Sequence, residues 1–269
     1  MCKLLKASSS GYYQWLRRPL SPRAVSNMVL DQEIIRLFKE HKSRCGYRGI
    51  HKHLSIDASS SRVRRRMKVL GLQAIHKRKY NKKTKQDNDY TYADNLLNQD
   101  FHADHLDQKW VSDITEMKIN NRKLYLAVIL DLCSRKVIGW SMSNRMTASI
   151  VCNALNMAMR NRAYPTGVII HSDRGSQYCS NNYQTLINLY QLKCSMSAKG
   201  CCYDNASCES FFATLKAELI YRETFTSVEQ AKSAIFEYIE AYYNRIRLHS
   251  GIDYLSPVIF EQQFLAIAA

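Results

Sequence analysis

The apolar residues of this chain change period once, near Trp110, and that change divides it into a helical first part and an α/β remainder. Before it, Ile34, Ile35, Leu37 and Phe38 fall on one side of a helix predicted from Asp31. Gly46 and Gly49 interrupt that pattern, and Ile50 and Leu54 mark a second, short helix. Ser59 to Ser61 offer capping oxygens for a third, in which Val63, Met67 and Leu70 stand at i, i+4 and i+7 and which Gly71 is placed to stop. After Trp110 the pattern reads as strands. Residues 110–115, 123–132 and 135–142 form a predicted meander, with a tight turn at Cys133 and Ser134. Then follow a helix over 147–160, a strand over 167–171, a helix over 182–189 and a strand over 193–197. Two long helices are predicted over 205–221 and 228–247. A meander followed by alternating helices and strands predicts an α/β mixed sheet flanked by helices.

Charge divides the chain in the same way. Residues 1–88 hold 22 Lys/Arg against 5 Asp/Glu, a net of +17, whereas residues 89–269 hold 17 against 18, a net of −1. A basic arm on a near-neutral body points to one part that holds nucleic acid and another that works on it; a merely soluble basic protein is the alternative. Arg62, Arg64, Arg65, Arg66 and Lys68 mostly occupy the side of the third helix away from its apolar residues. Three short helices ending in a basic one suggest a small all-α, helix-turn-helix-like module that enters a DNA groove, against a solvated basic surface. The expected organisation is a basic segment over 1–26, that module over 27–79, a polar linker over 80–99 and a larger domain over 100–265.

Other classes are disfavoured. The apolar run Leu124–Leu130 is strand length, well short of a membrane span, and no secretory leader stands at the start, so a cytoplasmic protein with reduced thiols is expected. The nine cysteines form no C-x-x-C, and neither His51/His53 nor His102/His105 has paired cysteines at zinc-ligand spacing.

Three carboxylates stand out. Asp113 interrupts an apolar strand, where an acid needs a partner or a metal. Asp173 follows the strand ending Ile169-Ile170-His171, and strand ends are where α/β sheets collect ligands. Glu209 lies in the first turns of a helix that Asp204 or Asn205 could cap. Each alone is weak evidence: a strand Asp can be an edge residue, and an early helical Glu can answer the helix dipole. Between Asp113 and Asp173 lie 59 residues, and between Asp173 and Glu209 lie 35. Lys216, seven positions after Glu209, returns to within about 20° of it around the helix axis. Such a set suits two divalent ions that clamp the attacking and leaving oxygens of a phosphodiester displacement.

Lys109-Trp110-Val111-Ser112-Asp113-Ile114-Thr115, Ser134-Arg135, His171-Ser172-Asp173-Arg174-Gly175, Asp204-Asn205-Ala206, Glu209-Ser210-Phe211-Phe212 and Leu215-Lys216 occur in order. With Tyr243-Asn244, Arg247, Ser256-Pro257 and the early Gly46-Tyr47-Arg48, they make the chain resemble the OrfB-type transposases of bacterial insertion sequences, relatives of retroviral integrases. The resemblance implies a ribonuclease-H-like catalytic core over 100–265 and a catalytic, metal-binding D-D-35-E triad of Asp113, Asp173 and Glu209, followed by the DNA-contacting Lys216. It also implies Mg2+ or Mn2+, two ions, and recognition of terminal inverted repeats and target DNA by a homo-oligomer on bacterial DNA. An upstream-frame partner or fusion is a further implication, since this chain has no heptad run. Departures from the family pattern are Cys45, Glu116, Cys201, Cys202 and Cys208, none at a triad position. A nuclease of the same fold that never joins, and a non-catalytic repressor, are the alternatives; the 35-residue spacing with Lys216 argues against the first, the intact triad against the second. Among other residues, Arg174 is a phosphate contact or a surface residue, and His171 orients Asp173 or is structural. Asp131 is read as structural, and Trp110 and Trp140 as core. Tyr242, Tyr243, Arg245, Arg247 and His249 either grip DNA or bury their tyrosines.

Overall fold

The computed structural model describes residues 4, 8–75, 92–197 and 205–268. It comprises two compact units, Met1–Ala74 and Ile75–Ala269. Residues 80–91 of the linker expected over 80–99, and the sequence around Cys201, Cys202, Tyr203 and Asp204, lie outside the described residues.

The first unit is all helical, with α1 at Ser9–Arg17, α2 at Pro22–Glu40, α3 at Tyr47–Lys52 and α4 at Ser60–Val69. The helix expected from Asp31 begins nine residues earlier. Ser21 Oγ accepts from the Ala24 amide and Pro22 takes the first helical position, where its missing N–H is harmless. Pro19 stays in the short connection between α1 and α2, whereas Pro22 belongs to the helix start. Ser59 caps α4 by accepting from the Arg62 amide, and Gly71 ends the helix at φ +68°. Leu30, Ile34, Leu37, Phe38, Ile50, Val63 and Met67 are the buried centre.

The second unit is built on a five-stranded mixed sheet in the order β3-β2-β1-β4-β5. Its strands are β1 (Lys109–Ile119), β2 (Arg122–Asp131), β3 (Val137–Ser143), β4 (Ile169–Ser172) and β5 (Lys193–Met196). The first three pair antiparallel, while β4 and β5 join β1 in parallel. On one face pack α5 (Ala148–Asn161) and α6 (Asn181–Leu189), against Trp110, Ala127, Ile129 and Ile138. On the other pack α7 (Ala206–Leu215) and α8 (Val228–Glu237), against Val111, Leu124, Leu126, Val128 and Leu130. Because both faces are covered, β2 reads as an uninterrupted apolar run although its side chains alternate. The sheet and its helices form the ribonuclease-H-like arrangement that the resemblance implies.

Four elements differ from expectation. The two long helices each change pitch: α7 continues as a π-helical stretch at Lys216–Ile220, and α8 at Tyr238–Tyr243. A last helix, α9 (Pro257–Ala268), was not anticipated. Its Glu261 is buried against Lys136 and Arg162, a contact between distant segments with no local signature. The end of the expected linker is also not a linker. Ser195 Oγ on β5 accepts from the Leu96 amide at 2.9 Å and the Leu97 amide at 3.2 Å, and Leu97 enters the core. Among the described residues no helix is long and apolar enough to cross a membrane.

Candidate active site

Asp113 lies where β1 and β4 part. Their parallel pairing ends at Val111 and His171, two residues before each of the acids Asp113 and Asp173. Side-chain alternation along β1 places Asp113 on the face of Val111 and Met117, which α7 and α8 cover. Opposite it, Cys208 is fully buried and Glu209 is exposed at the start of α7. Asp173 is exposed on the loop after β4, and its Oδ1 accepts from the Gly175 amide at 3.0 Å. Asp113 Oδ1 accepts from the Ile114 amide at 2.7 Å.

The fold brings Asp173, Glu209 and Lys216 within electrostatic reach of Asp113. Burial raises the Asp113 carboxyl well above the usual carboxylate range, the negative charges of Asp173 and Glu209 raise it further, and Lys216 opposes them. Although Asp173 and Glu209 reach solvent, the protein packed beside them partly desolvates both carboxyls and raises them as well. Cys208 is pushed up by burial and then by all three acids. Like charges collected on one side of a sheet call for further positive charge. Their donor atoms are all carboxylate oxygens, the set that hard divalent ions such as Mg2+ prefer. Among the described residues, no three acidic, histidine or cysteine side chains stand together so as to hold one ion. The fit is therefore in donor chemistry, with ions that keep much of their water and need few protein oxygens each.

Ser112 and Tyr178 support the floor. Ser112 Oγ donates to the Val128 carbonyl at 3.0 Å and lies 2.9 Å from the Tyr178 hydroxyl, which is buried. Asn205, proposed as a helix cap, occupies the N-cap position without capping; its Nδ2 donates instead to the Ser112 carbonyl at 3.0 Å. Arg135 Nη1 donates to Ser207 Oγ at 2.8 Å. Neither link is readable from the sequence, although an amide beside a helix that carries a candidate ligand was a usable signal.

Several basic residues expected on DNA are engaged inside the protein. Arg174 Nε donates to the Ser197 carbonyl at 2.7 Å, and its guanidinium lies 4.4 Å from the centre of the Tyr92 ring. Arg247 is held by Glu218, with Nη2 3.0 Å from Oε1, and Tyr238 donates to the same carboxylate at 2.8 Å. In the first unit, Arg62 donates to Asn27 and Ser26. Arg66 is paired with Asp31, at 2.7 Å from Nε. These four expected DNA contacts are thus hydrogen-bonded to protein groups; where α4 packs on α2, Arg62 and Arg66 of α4 meet Asn27 and Asp31 of α2. Arg64, Arg65, Lys68 and Arg245 remain exposed. Tyr242 and Tyr243 are buried. His171 is fully buried, with Nδ1 2.8 Å from Ser195 Oγ, and Asp131 accepts from the Ser134 and Asp107 amides, so both have structural roles.

Residues 103–202 match the integrase core domain family, residues 209–265 match a second integrase core domain family, and residues 27–80 match an HTH-like domain. The chain is 43% identical to the transposase InsF for insertion sequence IS3A of Escherichia coli (strain K12), over 99% of this chain and 94% of that protein. It is 39% identical to the insertion element IS600 uncharacterized 31 kDa protein of Shigella sonnei, over the full length of both. Among solved structures it is similar to a chain of the simian T-cell lymphotropic virus intasome in complex with PP2A regulatory subunit B56 gamma. That match has a TM-score of 0.49 and 17% identity, over 84% of this chain and 73% of that one.

Proposed function

This chain belongs to the insertion-sequence transposases of the IS3 kind, and on that premise we propose that it cuts DNA at the ends of its own element and joins the freed 3′-OH to a target. In this reading Asp113, Asp173 and Glu209 are the catalytic acids and hold two Mg2+ or Mn2+ ions. The observation that carries it is the placement of the two aspartates: β1 and β4 stop pairing at Val111 and His171, two residues before Asp113 and Asp173, and the helix that bears Glu209 packs on the same face of β1.

Two such ions, when bound, would clamp the attacking and leaving oxygens and offset the charge that builds on the phosphate. The chain's own contribution is position. Asp113 is fixed on a strand covered on both faces, and the Ile114 amide holds one of its oxygens. The Gly175 amide does the same for Asp173. Lys216 offers a compact positive charge beside the acids, suited to a phosphate oxygen of the strand being cut. Holding reacting groups at fixed separation can account for several kcal/mol of barrier reduction, of about 7–11 kcal/mol available to such effects.

Residues 27–79 form the DNA-binding module in this proposal, with Arg64, Arg65 and Lys68 on its exposed surface, and residues 100–265 are the catalytic domain. The partners are the terminal inverted repeats, target DNA, further copies of the chain on that DNA and an upstream-frame protein, in a bacterial cytoplasm. The test uses purified protein, a labelled element end and Mg2+ or Mn2+. Asp113→Asn, Asp173→Asn and Glu209→Gln are each expected to lower joining by at least about a hundredfold while DNA binding persists. Joining at the wild-type rate by any of the three removes that residue from the site.

A further inference from the structure

The helix that carries Glu209 is tied to the sheet at two points. Asn205, its N-cap, is 6% exposed, and its Nδ2 donates to the carbonyl of Ser112, the residue before Asp113. An Asn at this position ordinarily turns its Oδ1 onto the free amides of its own helix. Here the Oδ1 makes no hydrogen bond, and the side chain reaches across to β1 instead. Two residues later, Ser207 Oγ accepts from Arg135 at 2.8 Å. Arg135 sits in the β2–β3 turn at φ +61°, a turn closed by Asp131, whose Oδ1 accepts from the Ser134 amide at 2.9 Å.

The two ties act on different sides of the helix. Glu209 is four residues after Asn205, one turn on, so both lie on nearly the same side of the axis. Fixing Asn205 to the residue before Asp113 therefore presents Glu209 toward Asp113. Ser207 is about 200° around the axis from Asn205, and its bond to Arg135 opposes rotation about the first tie.

We propose that Asn205 and Arg135 are positioning residues that clamp the start of α7 to the sheet and set the separation of the Glu209 and Asp113 carboxylates. The inference rests on the assignment of those two acids as metal ligands. It predicts that the clamp governs affinity for a divalent ion before any DNA is present.

The test uses the full chain. Asn205→Leu keeps the approximate shape and removes the donor without adding a charge. Mn2+ binding is followed by paramagnetic resonance without DNA, joining by the labelled-end assay, and folding by thermal melting. Mn2+ binding is expected to weaken by about tenfold and the joining kcat to fall by about 10–100-fold, the range seen when supporting partners of metal ligands are lost. The KM for DNA should stay within about twofold, as expected when loss falls on the chemical step and not on uniform binding. Ser207→Ala, which removes only the acceptor of Arg135, should weaken Mn2+ binding in the same direction. Wild-type Mn2+ binding and joining in folded Asn205→Leu overturn the clamp; if that variant does not fold, the same behaviour in Ser207→Ala overturns it. Asp113→Asn is measured alongside. If it too binds Mn2+ and joins normally, the site assignment fails; if it loses both while Asn205→Leu keeps them, the clamp alone fails.

Discussion

Gly175 stands where a side chain would press on a candidate ligand. A Cβ added there would lie 2.9 Å from Asp173 Oδ1 and 3.2 Å from Gln177 Oε1. Both are ends of flexible side chains, so Gly175→Ala is expected to leave the melting temperature nearly unchanged while it turns the Asp173 carboxylate. Joining should fall by about tenfold, as for other losses of ligand orientation. An alanine variant that melts early and joins normally would show that the glycine serves stability instead. At this scale the acids were legible because a carboxylate inside an apolar strand, or just past a buried one, conflicts with its surroundings. The roles of the arginines were not. Arg62, Arg66, Arg174 and Arg247 look like Arg64 and Arg65 in a sequence, and only their neighbours Asn27, Asp31, Ser197 and Glu218 distinguish them.

Among the elements, β3 and α5 approach each other closely at Gly139. A Cβ on Gly139 would meet the Ala154 carbonyl oxygen at 2.3 Å and Ala158 Cβ at 2.8 Å. Neither atom can swing aside, since one is helix backbone and the other a methyl fixed on it. Gly139→Ala is therefore expected to separate strand and helix and destabilise the second unit by about 1–3 kcal/mol. The measurement is a urea midpoint that falls at constant slope; an unchanged midpoint would mean that the helix shifts without loss. Element types followed from periodicity, with Leu124–Leu130 identified as a strand by its length. Pitch changes did not follow, because the π-helical stretches after α7 and α8 conform to their packing and have no distinct local pattern. Lys216 begins the first of them, so its return to the flank of Glu209 depends on α7 keeping ordinary pitch up to Leu215, as it does.

For the molecule as a whole, the basic excess of residues 1–88 predicts a salt-dependent hold on DNA. Each phosphate contact contributes about 0.9 to the slope of log K against log salt on duplex DNA. The Arg64→Gln, Arg65→Gln and Lys68→Gln triple variant is expected to reduce that slope by up to about 2.7. The measurement is a salt titration of binding, and an identical slope would remove α4 from the DNA surface. What the sequence determined by itself was the set of parts: a basic helical module, a strand meander followed by alternating elements, and three acids at telling spacings. These are local properties, set by period, charge and residue type within short windows. The tertiary structure decided which parts meet. It set Asp113 at the parting of β1 and β4, packed the helix that carries Glu209 on the same sheet with Asn205 bonded to Ser112 and Ser207 to Arg135, and drew residues 96 and 97 of the expected linker onto β5. Such contacts join residues tens of positions apart, and their geometry depends on the packing of both faces of the sheet, which no short window of sequence contains.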